Sequence, residues 1–214
     1  MILENSIKEM INKVVSTIGI EETIINYIII LGILLIYLYV LYNFISARFR
    51  KNKKKKEVKS IVETASMSAF FAVIWLVVFT RTGVIKFHNT YLNIFFLIIY
   101  VIGIATNLLG RFYLGKNWGN NVVIYEDHTF VHNGVYKIVR HPLYASIIWM
   151  IYSISFLKSN YLVFILNTII FIPFMYYRAK QEEKELIKVF KEYNDYIKNT
   201  GMFFPKIKVN RKEK

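Results

Sequence analysis

The chain has 214 residues, 55% of them apolar and 17% aromatic, which excludes a disordered or collagen-like protein. It has no cysteine, so its chemistry contains no disulfide, no thiol nucleophile and no thiolate metal site. Lys and Arg number 28 against 14 Asp and Glu, a net charge of +14. In a soluble chain that balance points to nucleic acid; here charged and apolar residues are segregated along the sequence, and no nucleic-acid partner is expected.

Residues 1–22 read as an interfacial helix, with apolar residues recurring at helical spacing. Five windows free of Asp, Glu, Lys and Arg follow at 23–47, 64–80, 87–110, 141–157 and 159–177, with 25, 17, 24, 17 and 19 residues. A bilayer core of about 30 Å needs about 17 or more helical residues. The sequence therefore predicts an all-α polytopic membrane protein with about five transmembrane helices. Polar residues 88–90 trim the third span to 91–109. Lys158-Ser159-Asn160 marks a tight hairpin between the last two spans. Pro173 predicts a kink or one loosened turn in the fifth.

Counting cations in the loops orients the bundle. Eight lie in the first loop, from Arg48 to Lys59. Arg111, Lys116, Lys137 and Arg140 lie in the third loop, and eleven follow from Arg178 to the end. That puts 23 cations on one side, against five on the other: Lys8, Lys13, Arg81, Lys86 and Lys158. The split predicts a multi-pass protein of the inner cell membrane, N-terminus outside and C-terminus cytoplasmic, its basic face on anionic lipid. The chain is read as one domain, 1–214. It comprises the interfacial helix 1–22, a five-span bundle 23–178 with cytoplasmic loop 111–141, and a cytoplasmic C-terminal helix and tail 179–214.

Residues with chemistry concentrate in that loop and that tail, on the same side. In the loop, Gly134 beside Val135-Tyr136 suggests a turn that admits close backbone approach to a ligand. Arg140-His141-Pro142 stands where the fourth span begins, with Pro142 suited to a first helical turn and Tyr144 two residues on. In the tail, Arg178 and Glu182 are four apart and share a helix face, while Glu183 turns away by about 100°. Leu186, Phe190, Tyr193 and Ile197 fit one apolar stripe.

Read together, His128-Thr129-Phe130-Val131 with Gly134 and Tyr136, then Arg140-His141-Pro142-Leu143-Tyr144, resemble the signature of the isoprenylcysteine carboxyl methyltransferase family and its phospholipid-methyltransferase relatives. The tail residues Arg178, Glu182, Glu183, Leu186, Phe190, Tyr193, Tyr196 and Pro205 resemble its second half. The resemblance covers about residues 105–207. Phe130 replaces a Leu of the pattern, and Ser146 and Lys191 each replace a Gly.

The resemblance implies S-adenosyl-L-methionine as methyl donor, bound in a cytoplasmic pocket formed by the third loop and the C-terminal helix. The donor-binding residues it implies are His128, Thr129, Phe130, Val131, Tyr136, Arg140, His141, Pro142, Leu143, Tyr144 and Glu182. Arg178 is assigned to the acceptor and Glu183 to the catalytic set, with no metal. The acceptor implied is a lipid or lipidated molecule in the bilayer, with no obligate protein partner. A carboxylate acceptor is ionised at neutral pH and needs no general base, only a cation such as Arg178 to orient it. An amine acceptor, as in a phospholipid N-methyltransferase, needs a base, for which Glu183 or His141 is the candidate. A membrane NADPH-dependent reductase, with R-H-x-N-Y in place of Arg140-His141-Pro142-Leu143-Tyr144, and a non-catalytic membrane binding protein are the remaining readings.

Overall fold

The structure is a computed structural model that describes residues 2–48, 54–58, 70–78, 80–84, 89–117, 122–125 and 129–206. Helix α1 (Ile2–Arg48) runs 47 residues without a break. The segment expected to be an interfacial helix, 1–22, therefore leads into the first span with no break in the helix from residue 2 on. The physical reason is that nothing interrupts the helix, since the first proline of the chain is Pro142. The second charge-free window is described over helix α2 (70–78), which is followed by a turn at 80–84. Helix α3 (Thr90–Leu114) starts where Asn89 accepts the Leu92 N–H at 3.1 Å, an N-cap that explains the polar residues there. It continues through a 3₁₀ turn at Gly115–Asn117, past the expected end at 109.

Helix α4 (Pro142–Leu157) opens with its proline in the first turn, and the predicted hairpin follows at Lys158–Asn160. Asn160 shapes that hairpin by accepting the Val163 N–H at 3.1 Å. Helix α5 (Tyr161–Leu166) then widens into a π turn at Asn167–Phe171 before α6 (Ile172–Val189). Pro173 accounts for the wide turn, because its ring and missing N–H conflict with the carbonyl four residues back. The helix ends at Phe190, whose backbone is extended (φ −120°, ψ 103°), and α7 (Tyr193–Asn199) starts a new direction. The single apolar stripe expected through Leu186, Phe190, Tyr193 and Ile197 is therefore broken into two segments.

Among the described residues, three helical stretches are long and apolar enough to cross a membrane: Gly19–Asn43, Thr90–Asn117 and Tyr161–Val189. Pro142–Leu157 is apolar but shorter. In the last stretch the charge-free part ends at Tyr177, so Arg178 onward projects beyond the apolar crossing. One addition departs from an all-α architecture. Strands β1 (Lys54–Val58) and β2 (Val122–Tyr125) pair antiparallel, with Glu57 opposite Val123 and Val58 opposite Val122. The run Val-Val-Ile-Tyr has the β-branched and aromatic content that favours a strand.

Helix directions follow from the contacts. Glu21 meets Asn93 at 2.8 Å and the Tyr100 hydroxyl donates to the Ile29 carbonyl at 2.8 Å, so α1 and α3 run parallel. Asn107 donates to Ser146 Oγ at 2.8 Å, and a side chain at Gly110 would press on Leu143, so α3 and α4 run antiparallel. Small residues carry this contact. A Cβ at Gly103 would lie 2.6 Å from Met150 Cγ, and buried Ser146 stands where the family pattern has Gly. Close backbone approach and interhelical hydrogen bonds are what hold helices together where lipid is as apolar as the side chains. One end of the bundle thus gathers the ends of α1 and α3, the start of α4 and the end of α6. The apolar core around Ile148, Val163, Phe171 and Met175 lies between α4 and α5–α6, with Phe70 of α2 stacked on Phe171 at 4.7 Å.

Candidate active site

Two segments distant in sequence meet at that end. Arg140 and His141 precede α4, Tyr144 is in its first turn, and Arg178, Glu182 and Glu183 lie on the projecting part of α6. Arg140 Nε donates to Glu183 Oε1 at 2.8 Å, with both side chains buried. His141 Nε2 lies 3.2 Å from the same oxygen, and its Nδ1 lies 3.4 Å from Glu182 Oε2. Lys180 reaches Glu183 Oε2 at 3.1 Å. The Tyr144 hydroxyl donates to Glu182 Oε1 and accepts from Arg178 Nε at 3.0 Å, and Arg178 Nε stands 3.9 Å from Glu182 Oε1. The His141 and Tyr144 rings stack at 5.6 Å with 6° between planes.

These contacts set the charges. Burial alone would push the His141 imidazole down, but hydrogen bonds to Glu182 and Glu183 and their negative charges more than offset it and raise its pKa. Burial would push Glu183 up, yet its hydrogen bonds to His141 and Arg140, and their charges, hold its carboxyl at about 2. Arg140, His141 and Glu183 thus form a buried, mutually bonded group in which the Glu183 carboxylate has a partner on each side, the condition under which buried charge is tolerated.

The C-terminal segment fastens the loop from outside. Arg140 Nη1 donates to the Ile197 carbonyl at 3.2 Å and to the Thr200 carbonyl. The Arg140 N–H donates to the Gly201 carbonyl at 2.8 Å and the His141 N–H to Met202 at 3.2 Å. A Cβ at Gly201 would collide with the Phe204 carbonyl, so only glycine permits this close crossing. Phe130 stacks against Phe190 at 5.8 Å and packs on Tyr193 and Tyr196 at 5.5 and 5.3 Å.

The other residues named from the sequence fall around this cluster. Thr129 is held on both backbone groups by Asn117, its N–H donating at 3.1 Å and its carbonyl accepting at 3.2 Å, so it fixes the loop. The Tyr136 hydroxyl donates to the Gly110 carbonyl at 3.3 Å, and its own carbonyl accepts from the Tyr196 hydroxyl. Pro142 and Leu143 pack at Gly110, and Val131 is half-buried. His128 lies outside the described residues. Gly134 has a left-handed backbone (φ 56°), but a Cβ there would collide with the Tyr113 ring. The close approach expected at that turn is therefore made to an aromatic side chain of α3.

Sequence reasoning missed Gln181, Asn107 and Asn117. Gln181 falls with Arg178 and Glu182 within an arc of about 100° on α6, and its buried Oε1 has no hydrogen-bond partner among the described residues. Its spacing three residues after Arg178 was the available signal. Asn107 links Arg111 Nε, at 3.0 Å, to Ser146, and no local pattern announces such a link.

Comparison with known proteins agrees with the resemblance read from the motifs. The model of the isoprenylcysteine carboxyl methyltransferase (ICMT) family matches residues 95–188. A methanethiol S-methyltransferase of Pseudomonas deceptionensis is 35% identical over 85 residues, which is 39% of this chain and 31% of that protein. The protein-S-isoprenylcysteine O-methyltransferase of Saccharomyces cerevisiae is 34% identical over 80 residues, 37% of this chain and 34% of the yeast protein. The chain thus spans about a third of the length of the curated relatives it matches. Among solved structures, the eukaryotic intramembrane Ras methyltransferase ICMT superposes with a TM-score of 0.55 at 21% identity, over 69% of this chain and 54% of that one. That likeness is one of fold.

Proposed function

We propose that this protein is an integral membrane methyltransferase that uses S-adenosyl-L-methionine to methylate a carboxylate on a lipid or lipid-linked acceptor, an isoprenylcysteine-type O-methylation. The observation that carries the reading is the pairing of Glu183 with Arg140 and His141 in the buried cluster. Glu183, held at about 2 by its hydrogen bonds to His141 and Arg140, is too weak a base to take a proton at neutral pH. An acceptor that must lose a proton finds no competent base in Glu183. A carboxylate needs none.

The residues present fit the donor. Its ribose hydroxyls and ammonium call for acceptor oxygens, which Glu182, with a side chain 25% exposed, and the buried Gln181 Oε1 supply. The parallel His141 and Tyr144 rings offer a flat partner for adenine. When bound, the donor supplies an electrophilic methyl group on a sulfonium. Glu182 holds the donor. Arg178 grips the acceptor carboxylate with its planar fork and turns one oxygen toward the methyl group. Glu183 acts through Arg140 and His141, which it holds in place. The segment 190–206 closes over the loop and keeps water from the reacting atoms.

The cation-rich end of the bundle faces the cytoplasm in this reading, with the N-terminus outside and five crossings formed by α1, α2, α3, α4 and α5–α6. The alternating directions of the helices and the 23-to-5 split of cations support it. Thiol S-methylation is a second reading, favoured by the methanethiol S-methyltransferase relative. The pH dependence of turnover separates the two. With a prenylcysteine carboxylate, turnover is expected to be flat between about pH 5.5 and 7.5, because the acceptor is ionised throughout. A rate rising about tenfold per pH unit, with a thiol outcompeting the carboxylate, would replace the first reading by the second.

A further inference from the structure

The end of the bundle opposite the candidate site holds a cavity of about 850 Å³, between α1, α3, the turn after α2 and the α4–α5 hairpin. Its inner wall is apolar, formed by Ile25, Ile29, Trp75 and Leu157. Its mouth carries Arg81, Lys158 and Glu22, together with Glu21, whose carboxylate accepts from the Asn93 amide at 2.8 Å. The size is that of a small-molecule site, and an apolar body with a few convergent polar groups is the usual make-up of one.

The mouth is built, not incidental. Asn160, 2% exposed, donates to the Thr82 carbonyl at 3.1 Å, and the Tyr161 N–H donates to the Gly83 carbonyl at 3.0 Å. These bonds fasten the turn 80–84 to the hairpin and bring Arg81 beside Lys158. The two non-glycine residues with left-handed backbones among the described residues are Arg81 (φ 51°) and Ser159 (φ 49°), and both line this cavity. Such conformations persist where the surroundings impose them, and they collect at ligand sites. Lys158 donates to Asn26 Oδ1 and stands 3.9 Å from Glu22 Oε1. Burial pushes its ammonium down, Glu22 opposes that, and the repulsion of Arg81 adds to it. Two neighbouring cations at a membrane surface, with the loosely held Glu22 carboxylate beside Lys158, make a place for a phosphate.

We propose that this cavity binds an aminophospholipid of the leaflet opposite the candidate site, its phosphate between Arg81 and Lys158, its ammonium against Glu22, and an acyl chain along Ile25, Ile29 and Leu157. A zwitterionic headgroup matches cations and carboxylate together, and the apolar wall below the charges matches a chain. The assignment is independent of the methyl-transfer reading and needs only that the protein sits in a bilayer.

Native mass spectrometry of the full, delipidated protein with phosphatidylethanolamine, phosphatidylglycerol and diacylglycerol tests it. One phosphatidylethanolamine should be retained at about fivefold lower concentration than either of the others. Arg81→Gly should weaken that retention about fivefold, yet melt no lower than the parent without lipid, because glycine accepts the left-handed backbone. Glu22→Gln should erase the preference over phosphatidylglycerol. Equal retention of diacylglycerol, a preference for phosphatidylglycerol, unchanged retention in Arg81→Gly, or a lower melting temperature of that variant without lipid would each overturn the assignment.

Discussion

The two ends of the bundle handle charge in opposite ways. At the end formed by α4 and α6, Arg140, His141 and Glu183 are buried at 8%, 6% and 2% exposure, with contacts of 2.8–3.2 Å between them. At the other end, Lys158 and Glu22 stand 3.9 Å apart with side chains 21% and 56% exposed. A buried charge that loses its partner cannot turn to water, whereas a half-exposed one can. The first end therefore holds its charged side chains in fixed contacts. The second keeps its charges available.

Breaking one partner at the rigid end should have the largest effect. Glu183→Ala leaves Arg140 and His141 buried without their carboxylate and should cost about 3–5 kcal/mol. Thermal unfolding in detergent measures this, and a loss within the range of a surface pair, under about 1 kcal/mol, would mean the group is not a buried unit. Glu182→Ala should leave the fold intact and weaken donor binding by about 1.5–3 kcal/mol, tenfold or more, by calorimetry. Arg178→Lys keeps the charge and loses the fork, so turnover should fall about tenfold with donor affinity nearly intact. An anchor in the headgroups would tolerate that change without loss.

The same cluster predicts how stability depends on pH. Glu183 is depressed, so its contribution is present above the ordinary glutamate value of 4.5 and is lost as pH falls toward about 2. His141 is raised, so its contribution is complete below the ordinary 6.5 and is lost as pH climbs through its raised pKa. The melting temperature should therefore be highest between those ordinary values, and a flat profile would deny the coupling. The smallest effect expected is at the α3–α4 contact. Ser146→Ala removes the acceptor of the Asn107 amide and should cost about 0.6 kcal/mol, the usual worth of a hydrogen bond between membrane helices.

What the sequence made legible follows from local rules. Lys158-Ser159-Asn160 reads as a turn because a charge and two polar residues interrupt apolar sequence, and Pro173 reads as a loosened turn because its ring forbids a regular one. Arg140-His141 and Arg178-Glu182-Glu183 stood out as charges at span ends, and they meet in the fold. What stayed hidden depends on contacts between distant segments. Asn117 clamps Thr129 from across a loop, and the crossing at Gly201 depends on a carbonyl three residues on. Neither leaves a periodic trace. The continuity of α1 past residue 22 follows from the absence of a helix breaker, which the charge pattern does not report. The stop at Phe190 likewise had no glycine or proline to announce it.

The central claim is the transfer of a methyl group to a carboxylate, and the labelled product tests it most directly. Purified protein in liposomes is incubated with methyl-labelled S-adenosyl-L-methionine and an S-prenylated cysteine bearing a free carboxyl group, and the recovered lipid product is treated with mild base. The label is expected to enter the prenylcysteine and to be released by base as volatile methanol, because a methyl ester hydrolyses. Label that stays on the product through base treatment, as in a thioether or an N-methyl amine, or no transfer to the prenylcysteine at all, would contradict it.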